Sequence, residues 1–212
     1  MFLSFTYILA FLLVLTLHEA AHAWVAWRLG DPTAHRAGRV SLNPLRHLDP
    51  LGTLLLFFAG FGWGKPVPVN PRNFKNPRLG EALTSLAGPA MNLFLALLAA
   101  IPFTYLPEGL VFLRGLSQAT MELSLILCFF NLLPFPPLDG AAFWGLVVPF
   151  SWREDYYEAI AKATPYFVAL MIADLYLSPQ IFGASLVWTV VSTLTFWAKT
   201  ASNTHRHTAN PG

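Results

Sequence analysis

Four stretches of this chain, about residues 3–27, 81–103, 110–133 and 157–199, are apolar enough to lie in a lipid bilayer. Roughly 30 Å of hydrocarbon takes about 20 apolar residues to cross as a helix, so the first three fit one span each. The fourth is too long, because residues 166–198 alone would reach about 50 Å at about 1.5 Å per residue. Pro179 interrupts it, so two helices meeting near "SPQ" (178–180) are expected, for about five spans in all. Only 11% of the 212 residues are charged and 55% are hydrophobic, against about 25% charged in soluble domains. An all-α polytopic membrane protein is the expected fold class. The opening "MFLSFTYILAFLLVLTL" lacks the basic start and small-residue cleavage site of a secretory signal, and is read as a retained first helix.

The segment between the first two spans sets the orientation. Residues 28–78 carry Arg28, Arg36, Arg39, Arg46, Lys65, Arg72, Lys75 and Arg78 against only Asp31 and Asp49, which places them in the cytoplasm by the positive-inside rule. Within this basic region "LGTLLLFFAGFGW" (51–63) is too short to span, and should dip into the membrane and return as a re-entrant loop. Non-helical backbone at that depth must pack on protein or line a wet cavity. The following "GKPVPVNPRNFKNPR" holds Pro66, Pro68, Pro71 and Pro77, and reads as an extended loop. With the N-terminus outside, "NLLPFPPLDG" (131–140) arrives in the same leaflet as residues 18–22. "SWREDYYEAIAKATP" (151–165) looks like the start of an interfacial helix. A single membrane-embedded domain, 1–212, is expected, with a core of about 10–145 and further helices at about 157–199.

A net charge of +2, without basic residues interleaved with aromatic platforms, gives no case for nucleic acid. Cys128 is the one cysteine, so neither a disulfide nor a site with several thiolates can form. Any metal must be held by His, Asp or Glu.

"TLHEAAHAWV" (16–25) puts His18, Glu19 and His22 inside the first apolar run, where ionisable residues are costly and mark a functional site by default. Residues four apart share one helix face, about 6 Å apart along the axis, so both rings can present a nitrogen to one Zn²⁺. Glu19 is close enough to reach water at the metal and take its proton, the arrangement of H-E-x-x-H metalloproteases. A catalytic zinc generally has three protein ligands and an open position. The third comes from Asp139, Glu122, Asp49 or Asp174. Glu122 is about three turns before Asn131 and fits a helix-neighbour bond, Asp49 precedes Pro50 and fits a turn or cap, and Asp174 falls near the outer end of a late helix. Asp139 is at the right level, although "PPLDG" alone reads as an ordinary Asp-Gly turn.

With these residues assembled, the chain resembles the site-2 protease family of intramembrane zinc metalloproteases. The likeness rests on "HEAAH" (18–22), "LAGPAMN" (86–92) and "NLLPFPPLDG" (131–140), in that order, across about residues 10–145. It is similar to the compact members with neither a PDZ nor a CBS domain. The resemblance implies one zinc per chain held by His18, His22 and Asp139, with Glu19 as general base. It implies cleavage of a substrate's transmembrane segment near the cytoplasmic face and residence in a prokaryotic plasma membrane, with the lipid bilayer and a transmembrane protein substrate as partners. It also brings Asn92 and Asn131 close to the site. The Asn92 amide could bind substrate backbone, steady a developing oxyanion, or hydrogen-bond between helices. Asn131 is expected to tie down the broken helix that carries Asp139. "GRVSLNP" (38–44) resembles the family's membrane-associated strand region, whose edge could pair with an unwound substrate. His35 and His47 are expected at the interface, and His205 and His207 in a solvated tail.

Two rival functions share these residues. A metal-ion transporter would also use intramembrane His and Asp, but the polar residues collect at one level instead of forming a chain across the bilayer. An inactive relative acting as a membrane binding protein would have no need of Glu19. Nothing in the sequence names the substrate or the oligomeric state.

Overall fold

The structure is a computed structural model that describes residues 5–59 and 62–183, together with Thr189 and Thr193. In chain order the helices are α1 (Phe5–Arg28), α2 (Thr33–Arg36), α3 (Pro50–Ala59), α4 (Pro77–Tyr105), α5 (Val111–Asn131), α6 (Gly140–Val147), α7 (Arg153–Tyr176) and α8 (Ser178–Phe182). Three of them, α1, α4 and α5, are long and apolar enough to cross a membrane. This is a helical membrane protein.

The three long helices pack on one another, and α6 rests on α4. Their contacts are built from small side chains that let backbones approach, as expected where lipid removes the hydrophobic drive for association. Ala10, Ala21, Ala23 and Ala26 are buried on α1, and Ala82, Gly88, Ala96 and Ala99 on α4. Met121 of α5 closes the cluster around Ala96 and Ala99. The opposite face of α4 is outward and apolar, with Phe94 58% and Leu97 65% exposed, as a lipid-facing surface should be.

Local chemistry explains the helix ends. Asn76 caps α4 by accepting from Leu79 N at 3.1 Å, with Pro77 at the first helical position. Glu154 and Asp155 fall in the first turn of α7, where they complement the helix dipole. The boundary between α7 and α8 falls at Leu177–Ser178, beside the expected break at "SPQ". The expected fifth span and the tail histidines His205 and His207 lie outside the described residues.

The segment before α4 departs from expectation in one respect. No strand forms among the described residues, and 38–44 is irregular. Gly38 adopts φ +70°, and Asn43 uses its side chain to cap the short turn that begins at Pro44, so the local backbone groups are taken up in turns. Among the described residues, pairing is limited to an isolated antiparallel bridge between Leu48 and Gly64. That bridge brings the chain back on itself after α3. Trp63 returns against Gly52, where an added methyl would meet Trp63 N at 2.9 Å.

A buried clasp ties the end of α1 to the approach to α4. Asp31 is fully buried and accepts from Thr33 N (3.1 Å), Thr33 Oγ1 (2.5 Å), Asn70 N (2.7 Å) and Asn73 Nδ2 (2.7 Å). Burial works against the Asp31 charge, but bonds from Thr33, Asn73 and Asn70 outweigh it and hold the carboxyl below its usual range.

Candidate metal centre

His18, Glu19 and His22 are all buried on α1, at 4%, 9% and 6% exposure. The helical spacing puts the two imidazoles on one face, with His18 Nε2 and His22 Nε2 3.0 Å apart. Asp139, just before α6, brings Oδ2 to 3.3 Å from His18 Nε2 and 3.2 Å from His22 Nε2. These three donors could hold one metal ion.

Gly88 of α4 lets the rings reach this arrangement. A methyl added there would collide with His22 Nε2 and with the His18 ring. Pro89 follows, and its missing N–H leaves the Ser85 carbonyl without its usual helical partner. One residue before Ser85, the Thr84 carbonyl meets His22 Nδ1 at 2.7 Å. Since a carbonyl only accepts, His22 carries its hydrogen on Nδ1 and directs a bare Nε2 at the other two donors.

Asp139 is placed by several bonds. Pro134, Pro136 and Pro137 follow the end of α5, and Gly140 packs so tightly on Leu132 and Leu133 that a methyl would strike their carbonyl oxygens. Trp144 Nε1 donates to Leu132 O at 2.7 Å, and Tyr156 OH donates to Ala141 O at 3.1 Å. At the far end of α6, Arg78 Nη2 donates to Gly145 O (3.3 Å), Leu146 O (2.5 Å) and Val148 O, which ties this helix to the start of α4.

The donor set fits a metal. Asp139 Oδ2 is buried without a directed hydrogen bond, although two imidazole nitrogens lie close by. Lone pairs converging at this distance repel unless a cation lies among them. At the usual zinc bond lengths, two atoms on one tetrahedral ion lie about 3.3 Å apart, close to the spacings seen here.

Glu19 meets the irregular segment before α4. Arg39, itself 4% exposed, places Nη2 3.5 Å from Glu19 Oε2. The same guanidinium donates to Lys65 O at 2.5 Å and Pro66 O at 2.8 Å. Gly64 lies over the carboxylate, where an added methyl would come within 3.3 Å of Glu19 Oε1. His47 is fully buried here. Its Nε2 donates to Ser41 O at 2.7 Å, leaving Nδ1 toward Arg39 Nη2 at 3.5 Å. Burial and the Arg39 charge hold the imidazole below its ordinary pKa, against the opposing Ser41 bond.

The other acids have separate partners or places. Gln118 Nε2 donates to Glu122 Oε1 at 2.9 Å, and Asp49 Oδ1 accepts from Gly52 N at 2.9 Å as a cap for α3. Asp174 is on α7. Asn131 Nδ2 donates to Leu127 O at 3.0 Å within its own helix. Asn92 is fully buried and bonds His18 Nδ1 through Nδ2 at 3.0 Å, so its amide meets a ligand ring and not an open cleft. His35 is exposed and stacks on Trp27, with ring centroids 4.4 Å apart. Arg39, Thr84 and Arg78 were not among the sequence candidates.

A buried His–His–carboxylate cluster beside a glutamate, inside a bundle of membrane-length helices, defines a membrane-embedded metalloprotein with hydrolytic groups. Known sequences carry this further. The chain is 42% identical over 185 residues to the Bacillus subtilis protein named "Putative zinc metalloprotease YwhC", covering 84% of this chain and 81% of that one. It is 35% identical over 183 residues to "Putative zinc metalloprotease Rip2" of Mycobacterium tuberculosis H37Rv, covering 83% and 68%. A Mycolicibacterium smegmatis protein of the same name is 35% identical over 140 residues, covering 63% and 53%. No family model matches the chain. No solved structure matches it either. The chain belongs to the zinc metalloprotease family of these relatives, and zinc is its metal.

Proposed function

We propose that the protein is an intramembrane endopeptidase of the site-2 protease type, hydrolysing peptide bonds within or beside transmembrane segments of other membrane proteins. The observation that carries this reading is the burial of His18, Glu19 and His22 together with Asp139 among membrane-length helices. The names of the relatives support the chemistry, and the apolar outer faces of the helices support its setting.

In this reading His18 Nε2, His22 Nε2 and Asp139 hold the zinc, one per chain. Bound there, zinc supplies Lewis acidity, polarising the scissile carbonyl and making water acidic enough to attack near neutral pH. Glu19 takes the proton of the attacking water and returns it to the leaving amine. Arg39 fixes the carboxylate that does this, and Thr84 O holds the His22 ring. A helical substrate hides its carbonyls in its own hydrogen bonds, so the scissile segment must unwind before attack.

His18, Glu19 and His22 lie in the half of α1 that leads into the cation-rich segment 28–78, which supports a cytoplasmic opening in a bacterial membrane. The return of Trp63 to Gly52 supports a re-entrant path for α3.

The test is a reporter with one transmembrane helix, reconstituted with purified protein in liposomes. Glu19→Gln is expected to keep its zinc and lose cleavage, whereas Asp139→Ala loses zinc itself. Full cleavage by Glu19→Gln would sink the mechanism, and zinc flux without cleavage in wild type would replace it with transport.

A further inference from the structure

We propose that Asn92 is the positioning residue for His18, accepting a hydrogen bond from its Nδ1–H through Oδ1 and so directing Nε2 toward the metal. This rests on the reading of His18 as a zinc ligand.

The side chain is fully buried on α4, one helical turn beyond Gly88, the residue whose lack of a side chain admits both imidazoles. Its amide and the His18 ring meet at 3.0 Å, with Nδ2 facing Nδ1. In that orientation the amide donates, so Nδ1 must be bare and the His18 hydrogen must lie on Nε2. It would then point into the space shared with His22 Nε2 and Asp139 Oδ2, and a neutral His18 would have no lone pair for a metal. The amide oxygen meanwhile is buried with no hydrogen-bond partner. Among the described residues no hydrogen bond to Oδ1 fixes this orientation.

Turning the amide over changes one property of the site. Oδ1 accepts from Nδ1–H, and the Nε2 lone pair of His18 joins that of His22. Both ligands then have the same construction, each Nδ1–H held by an oxygen on α4: a side-chain oxygen for His18, the Thr84 carbonyl for His22. Outer partners of this kind fix tautomer and ring orientation at zinc sites, and losing one typically weakens metal affinity by about 10–100-fold. A role in steadying an oxyanion would need the amide free to meet substrate, and full burial against His18 denies it that.

Zinc affinity decides the matter without any proteolysis assay. Purified full-length protein in detergent is titrated with zinc against a chelator of known affinity, as wild type, Asn92→Leu, Asn92→Asp and His18→Ala. Asn92→Leu is expected to bind zinc about 10–100-fold more weakly than wild type. Asn92→Asp, whose carboxylate can accept from Nδ1–H but cannot donate, is expected to stay within a few-fold of wild type. Unchanged affinity in Asn92→Leu overturns the proposal, as does a loss in Asn92→Asp as large as that in Asn92→Leu. Should Asn92→Leu fail to fold, weak binding by a folded Asn92→Asp overturns it alone. Wild type that binds no zinc, or His18→Ala that binds as wild type does, overturns the ligand assignment and this proposal together. Wild-type binding that is lost in His18→Ala leaves Asn92 as the only question.

Discussion

Arg39 Nη2 lies 3.5 Å from Glu19 Oε2, and both side chains are buried. The pair crosses from the irregular segment before α3 into the middle of α1, so the proposed general base is held by a residue outside its own helix. Removing one member of a buried ion pair typically costs about 3–5 kcal/mol, because the survivor is left charged and unpaired. Arg39→Gln is therefore expected to lower the melting temperature in detergent markedly. The double variant Arg39→Gln/Glu19→Gln should recover part of that loss, with a coupling of about 1 kcal/mol or more. Strict additivity in this cycle would show that the two groups are not a unit.

Gly88 and Gly115 make a matched pair of controls on the packing. A methyl at Gly88 would collide with both imidazoles, whereas at Gly115 it would meet only Thr6 Cγ2 at an ordinary 3.8 Å. Gly88→Ala is expected to weaken zinc binding at least about tenfold, on the scale of losing an orienting contact at a metal site. Gly115→Ala should bind zinc normally and melt at or slightly above wild type, since alanine is favoured over glycine in a helix by up to about 1 kcal/mol. Equal zinc affinity in the two variants would mean that α4 does not set the ligand geometry.

Arg78 tests how Asp139 is held at a distance. Its Nη2 donates to three carbonyls at the end of α6, while Asp139 stands at the start of that helix. Arg78→Met keeps the apolar stem and removes the donors, leaving partly buried carbonyls unmet at a cost of up to about 1–3 kcal/mol. Zinc affinity should fall several-fold along with the melting temperature, and Arg78→Lys should recover part of both. A variant that melts lower yet binds zinc as wild type does would confine Arg78 to stability.

His18, Glu19 and His22 were legible because a helix converts spacing into a shared face, and because such residues are conspicuous in an apolar run. Asp139 needed more: its level set it above Glu122, Asp49 and Asp174, but its dipeptide reads as a turn, and only the resemblance overrode that reading. Arg39, His47 and Asp31 escaped because their contacts join irregular segments, some of them tens of residues apart, where no periodicity marks a partner. The strand expected at 38–44 failed for a related reason. Gly38 and the capping Asn43 take up the backbone locally, and a likeness of sequence does not register such side-chain competition.

The Asp31 clasp makes a prediction about acid. Its carboxyl is held below its usual range by bonds from Thr33, Asn73 and Asn70, against the opposing effect of burial. A carboxyl whose folded pKa lies below the unfolded value, about 3.9, contributes its full stabilisation above that value and loses it as pH falls through the folded one. His47, also depressed, has the same sign at higher pH: the cost of charging it appears as pH drops below about 6.5 and grows until the folded value is passed. Melting temperature in detergent should therefore fall in two stages on acidification, the first near the histidine range and the second below about pH 4. Asp31→Asn should lower stability at neutral pH by about 2–3 kcal/mol, since hydrogen bonds to a charged acceptor are the stronger kind. It should also flatten the second stage and leave the first intact. A second stage undiminished in Asp31→Asn would assign the acid sensitivity to another carboxylate.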